Sequence, residues 1–219
     1  MDNTASAPRA FFVGGSASRA AAIGRSDVFR RVRRVAIAAV IVVAGISLPI
    51  LTYAGVLKVT GNIDTVEDDA VYRSGQLSGE RLAQLIADRH LRTVINLRGS
   101  HPGARWYDDE VKASADANVL HIDLPMSATR EPDPALLGQL IDALQTAPKP
   151  FLIHCESGSD RTGLASALYR LLALGQPPEV AARQLSFNWG HFPWLGSPTI
   201  AMDRTFDKVA AGIRVARAN

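Results

Sequence analysis

Ten residues, His154-Cys155-Glu156-Ser157-Gly158-Ser159-Asp160-Arg161-Thr162-Gly163, lie between an apolar run, Phe151 to Ile153, and a helical one, Leu164 to Leu174. A strand that ends in a glycine-containing loop and feeds straight into a helix leaves several backbone N–H groups unpaired at the helix N-terminus, which is a ready anion site. The chain's single cysteine stands at the strand end, where the helix dipole and Arg161 both favour the thiolate. Arg161 follows six positions later, so its planar fork folds back over the loop and takes two oxygens of a phosphate. Ser157, Gly158 and Ser159 are small enough to let backbone amides curl around that phosphate; with Glu156 and Thr162 they form the expected substrate-binding set. The chemistry implied is attack of sulfur on phosphorus. Reading Cys155 as a small buried hydrophobe explains neither the glycine nor the Asp-Arg-Thr opening of the helix.

His154-Cys155, five residues, then Arg161-Thr162 resembles the H-C-x5-R-[ST] signature of the cysteine-dependent protein tyrosine and dual-specificity phosphatases. Val71-Tyr72-Arg73-Ser74-Gly75-Gln76, Val94-Ile95-Asn96-Leu97-Arg98 and His121-Ile122-Asp123-Leu124-Pro125 look like successive blocks of the compact bacterial and plant dual-specificity-like branch, and the similarity covers about Thr60 to Ser197. The resemblance implies a phosphocysteine mechanism without metal or other cofactor, with Cys155 as nucleophile and Arg161 as phosphate clamp. Thr162 is placed to hydrogen-bond the sulfur, and His154 orders the loop rather than acting as a base. For the acid that protonates the leaving oxygen, Asp123 has the family's spacing and Asp160 lies in the loop itself, as in Asp-Arg-Thr-Gly variants that act on non-protein phosphates; the two rank level, ahead of Asp133, which has an adequate explanation as a helix cap. A rhodanese-like sulfurtransferase also uses a cysteine in an anion loop, but the Arg-Thr-Gly flank does not suit it. An inactive phosphate-binding module would be expected to lack the cysteine or the arginine.

The net charge of +3 is unevenly spread: residues 1–34 hold seven arginines against Asp2 and Asp27, a net +5, and the remainder carries −2. A nucleic-acid partner, which wants a basic folded face, is therefore not expected. Residues 1–34 read as a disordered basic tail. Val35 to Leu57 follows, 23 residues without a charge, long enough to cross a bilayer at about 1.5 Å per residue. Arg30, Arg31, Arg33 and Arg34 precede it and only Lys58 follows, so the positive-inside rule leaves the tail in the cytoplasm and exports residues 58–219. An uncleaved anchor is favoured over a signal peptide cut near Thr52-Tyr53-Ala54, because the charged region before the apolar run is long.

The exported part alternates strands and helices. Strands are expected at Ala70–Arg73, Arg92–Leu97, Val119–Leu124 and Phe151–Ile153. Helices are expected at Gly79–Arg89 behind an N-cap at Ser78, at Arg105–Ala117, from Pro134 to Gln145 behind Asp133, after the cysteine loop, and from Pro177-Pro178 to about Leu185. This order makes an α/β fold with a mostly parallel central sheet flanked by helices, the active loop lying at the carboxyl end of a central strand. Two features lean toward a lipid phosphate rather than a phosphoprotein. The domain is tethered shortly after Leu57, and Phe187-Asn188-Trp189-Gly190-His191-Phe192-Pro193-Trp194-Leu195 concentrates aromatics of the kind found at membrane interfaces.

Overall fold

The computed structural model describes the backbone of residues 17–218 and the side-chain environments of residues 27–216. The chain divides into two compact units, residues 1–52 and 53–219. Helix α1 runs Ala17–Thr60. From Asp27 to Thr60 it is long and apolar enough to cross a membrane, with a mean hydropathy of 2.6 in its most apolar window. The second half of the segment expected as an unstructured tail is thus helical from Ala17. Alanine and arginine, abundant there, have strong helix propensity. Residues 1–16 lie outside the described residues.

The second unit is built on a five-stranded sheet, β1 Asp64–Glu67, β2 Val71–Ser74, β3 Thr93–Asn96, β4 Leu120–Asp123 and β5 Phe151–His154, in the order β1-β2-β5-β3-β4. All pairings are parallel except β1 with β2. The α/β sheet expected from the alternation is therefore present, with β1 as an addition. That strand is short, buries only Val66 fully and carries a bulge between Thr65 and Glu67, so it offered no apolar run to recognise.

Register puts four aligned rows across the parallel strands. Val71, Phe151, Thr93 and Leu120 form the first row, Tyr72, Leu152, Val94 and His121 the second, Arg73, Ile153, Ile95 and Ile122 the third, and Ser74, His154, Asn96 and Asp123 the last. Because side chains alternate between faces along a strand, the row of Tyr72 and the row of His154 share a face. On that face pack α2, Gly79–Arg89, and α3, Arg105–Asp116, burying Leu82, Leu85, Ile86 and Ala113 against Val94 and Leu152. The opposite face takes α4 Pro134–Thr146, α5 Asp160–Leu172, the short α6 Pro178–Ala181 with its following 3-10 turns, and α7 Ile200–Ala218. There Ile95, Phe151 and Ile153 meet Leu140, Leu164 and Leu168, while Met202, Phe206 and Ala210 of α7 join the same core.

The caps behave as their residue types require. Ser78 accepts from the Arg81 amide and Asp133 from the Leu136 amide at 2.9 Å. Asp133→Ala is expected to lower stability by about 1 kcal/mol, the usual worth of an N-cap. The change should appear as a lower urea midpoint at unchanged slope.

Candidate active site

The last row of the sheet is polar where the rows beneath it are largely apolar, and the site is built upward from that edge. Cys155 follows His154 at the end of β5 and is buried. The loop from Glu156 to Ser159 then turns into α5 at Asp160. Three consecutive loop carbonyls point away from the cysteine, each into a donor from another part of the fold. Glu156 O accepts from the Gln76 amide at 3.0 Å, Ser157 O from Asn62 Nδ2 at 2.9 Å, and Gly158 O from Arg73 Nη2 at 2.8 Å. With the carbonyls outward the amides face inward, and among the described residues none from Glu156 to Thr162 donates to a backbone carbonyl. This is the cradle that the spacing implies.

Gly158 makes the turn possible. Its φ is +77°, and a Cβ there would stand 2.7 Å from the Gly75 nitrogen and 2.8 Å from the Ser74 carbonyl carbon. Gly75 is close-packed as well, though less tightly, its Cβ position lying 3.1 Å from the Ser157 backbone. The β2 exit and the phosphate loop touch backbone to backbone, an approach that Gly158 permits and Gly75 eases.

Arg161 Nη1 donates to the carbonyls of Leu97 at 3.3 Å and Met126 at 3.2 Å. Its Nε is buried without a partner. One arm of the guanidinium is thus tied back to the β3 and β4 exits, and a second donor is left for an anion's oxygen. Thr162 Oγ1, beneath the loop, is also buried and unpartnered.

Three side-chain constellations hold this loop, and the sequence analysis gave their central residues, Arg73, Glu110 and His191, no role. Arg73 is fully buried, binds Gln184 through its backbone and side-chain oxygens at 3.1 and 2.6 Å, and lies 4.3 Å from the Trp189 ring centroid. Burial pushes its pKa down to about 9, against the pull of Cys155 and Asp64. Glu110, buried on α3, accepts from His154 Nε2 at 2.9 Å, His121 Nε2 at 2.8 Å and Gln76 Nε2 at 2.6 Å. Burial opposes its charge, but the hydrogen bonds from His121, His154 and Gln76 prevail and hold its pKa down at about 2. His191, fully buried, bridges Asp160 Oδ1 at 2.7 Å and Asp203 Oδ2 at 2.9 Å, joining the start of α5 to α7. Burial alone would lower its pKa; the two carboxylates raise it to about 9.

The candidate acids are disposed differently. Asp133 caps α4. Asp160 is the partner of His191. Asp123 ends β4, accepting from Asn96 at 2.8 Å and from the Tyr107 hydroxyl. The buried positions Glu110 and His191 carried one usable signal, a charged side chain among apolar helix positions or beside aromatics. Helix α7 was not expected, although the three- and four-residue spacing of Met202, Phe206, Val209 and Ile213 is the signal that could have found it.

A group whose folded pKa is raised contributes stability that is complete below its unfolded value and lost as pH climbs through the folded one. For His191 the window runs from 6.5 through about 9. The stability of the wild type relative to His191→Gln should therefore fall across that window, measured by urea unfolding at a series of pH values.

Comparisons with known proteins agree with this geometry. A family model described as "DSP-PTPase phosphatase fused to NAD+ Kinase" matches residues 49–191. The dual specificity protein phosphatase TpbA of Pseudomonas aeruginosa, strain UCBPP-PA14, is 34% identical over 117 residues, 52% of this chain and 49% of the relative. The chain therefore spans about half the length of the curated relatives it matches. Among solved structures, the crystal structure of P. aeruginosa TpbA superposes with a TM-score of 0.54 at 22% identity, covering 73% of this chain and 92% of that one. PTPMT1 gives 0.51 at 20%, covering 71% and 99%. The core catalytic domain of the PP-IP phosphatase SIW14 from S. cerevisiae gives 0.51 at 19%, covering 72% and 93%. At these identities the structures speak for the fold alone, and it is the family match across well over half the chain, together with the cysteine, cradle and arginine, that places this chain in the DSP-PTPase family of cysteine-based phosphatases.

Proposed function

We propose that this chain is a membrane-anchored phosphomonoester hydrolase that works through a phosphocysteine on a lipid phosphate. The observation that carries the chemistry is the cradle: inward amides, a buried cysteine at their centre and an arginine with an unpartnered Nε. Cys155 sulfur attacks phosphorus in line as the oxygen–phosphorus bond to the leaving group breaks. The amides and Arg161 hold the equatorial oxygens, already oriented toward the transition-state charge. Water then attacks the phosphocysteine, passing a proton to the carboxylate that protonated the first leaving group, and the sulfur leaves as thiolate, toward which the Thr162 hydroxyl can turn.

Asp123 is assigned the proton that the leaving oxygen requires. Asp160 is less suited, because its carboxylate is engaged by a buried histidine that two carboxylates hold in the charged form. Asp133 is committed to its helix.

The lipid assignment draws on the apolar helix from Asp27 to Thr60, which makes membrane substrates locally concentrated, and on the loop's Asp160. Arg30, Arg31, Arg33 and Arg34, just before the uncharged run that begins at Val35, favour export of the catalytic unit. PTPMT1 has been solved with PI(5)P. The second reading, a phosphoprotein substrate, draws on TpbA, solved with pTyr.

Cys155→Ser is expected to abolish hydrolysis of a generic aryl phosphate with the fold intact, and Arg161→Lys to be severely impaired because an ammonium lacks the fork. Asp123→Asn should lose about 10²–10⁴-fold on an alkyl phosphate and far less on a nitrophenyl phosphate, whose leaving oxygen needs no proton. Equal losses on both would remove Asp123 from that role.

Substrate class is settled by phosphate release from the full chain in detergent, across phosphatidylglycerophosphate, phosphoinositides, lipid A and a phosphotyrosine peptide. The lipid reading expects the highest turnover on one of the lipids. A clear preference for the peptide favours the phosphoprotein reading and leaves the chemistry standing.

A further inference from the structure

The aromatic segment 187–195 does not fold as a unit. Trp189 turns inward, over Arg73 and with its Nε1 bonded to Asp64, and His191 is the buried bridge between Asp160 and Asp203. The intervening side chains go the other way: Phe187 is 38% exposed, Phe192 40%, Trp194 56% and Leu195 94%. They touch in sequence, Phe187 to Phe192 at 6.4 Å between ring centroids and Phe192 to Trp194 at 5.0 Å. At the near end, Tyr53 stacks on Phe187 at 5.4 Å and its hydroxyl donates to the Asn188 carbonyl at 2.7 Å. Val56 and Val59, on the helix turns just after Tyr53, are exposed as well.

Leu195 is the most informative member. It sits in the left-handed region, at φ +55°, where a branched side chain is unfavourable and glycine or asparagine would serve the turn better. The adjoining Gly196 shows that the sequence has glycine at hand for the same turn. A leucine held almost wholly in water in a disfavoured backbone conformation gains nothing within the folded domain. Such outliers point to a demand from outside it.

We infer that Tyr53, Phe187, Phe192, Trp194 and Leu195 form a surface that seats in the headgroup and upper acyl region of a lipid bilayer. The inference rests on the membrane-anchored reading above and deepens it by naming where the catalytic unit meets the membrane. Continuity argues for lipid over another partner. Tyr53 belongs to the same uncharged run that begins at Val35, so if that run spans the bilayer, Tyr53 lies at its outer boundary and Phe187, stacked upon it, lies at the same depth. Tyr and Trp with apolar companions are the composition of that zone. No side chain from Phe187 to Leu195 is acidic or basic apart from the buried His191, so nothing there opposes insertion.

The surface is also wired to the phosphate loop. Asn62 donates to both Ser157 O and Trp189 O, each at 2.9 Å, and His191 ties the segment to Asp160. Seating of the aromatics therefore sets the height and tilt of the cradle over the headgroups, which selects phosphates at the bilayer surface.

The test uses the full chain reconstituted into vesicles of phosphatidylethanolamine and phosphatidylglycerol, doped with phosphatidylcholine brominated on the upper carbons of its acyl chains. Flotation is recorded first, then tryptophan fluorescence. Wild type should float and lose roughly the one-third share that one tryptophan of three contributes, and Trp194→Phe should float and lose almost none. Flotation without quenching, or quenching that persists in Trp194→Phe, overturns the seated surface while leaving the anchor in place. Failure to float overturns the anchor, and the surface with it.

Discussion

A carbonyl turned away from a loop's interior loses its intraloop partner, and unless a donor replaces it the buried dipole costs about 1–3 kcal/mol. The phosphate loop turns three in a row. Gln76, Asn62 and Arg73 meet Glu156, Ser157 and Gly158 with an amide, a carboxamide and a guanidinium. Those three bonds are what aim the amides of the loop at one point. An anion then finds donors that need not reorganise as charge develops, which is the source of most electrostatic catalysis. The glycine pair Gly75 and Gly158 is a consequence: the β2 exit can supply its donors only if the two backbones come into contact.

The ties on the loop come from both sides of the sheet. Glu110, from α3 on one face, collects His154, His121 and Gln76, so the residue preceding the nucleophile and the residue capping Glu156 share one buried carboxylate. His191 works on the other face, linking the first residue of α5 to α7. The two clusters have opposite charge logic. In the first, a carboxylate is kept ionised by neutral and histidine donors; in the second, an imidazolium is kept protonated between two acids. Each partner left alone would be a buried charge without compensation, a loss of about 3–5 kcal/mol, so the ends of the fold are coupled to the loop through electrostatics as much as through packing.

What was legible in the residues follows from how local each feature is. The strand, loop and helix around Cys155 are consecutive, and the Ser78 and Asp133 caps act within three residues, so all of these were readable. The parallel sheet followed from alternation, since strands joined through helices pair in parallel. The edge strand β1 was not, because Asp64–Glu67 has no apolar run and is held by pairing with β2. Asn62, Glu110 and His191 escaped for a different reason: each reaches a residue of the active loop or its flank 31 to 95 positions away, and no spacing rule reaches so far. Helix α1 begins at Ala17, inside the segment expected as a tail, because alanine and arginine favour helix.

The cradle explains phosphoryl chemistry without choosing a substrate, because every phosphomonoester presents it the same three oxygens. Selection has to come from what surrounds the cradle, and here the surroundings differ sharply by side. Toward α3, Arg98 lies 3.5 Å from the Trp106 ring centroid and bonds Gln76 at 3.0 Å; burial lowers its pKa, while Glu156 among its neighbours pulls the other way. That side offers a second cation to a substrate with further negative charge. Toward residues 187–195 the surface is aromatic and uncharged. Under the lipid reading proposed above, the cationic side meets the further charge of the headgroup and the uncharged side meets its hydrocarbon.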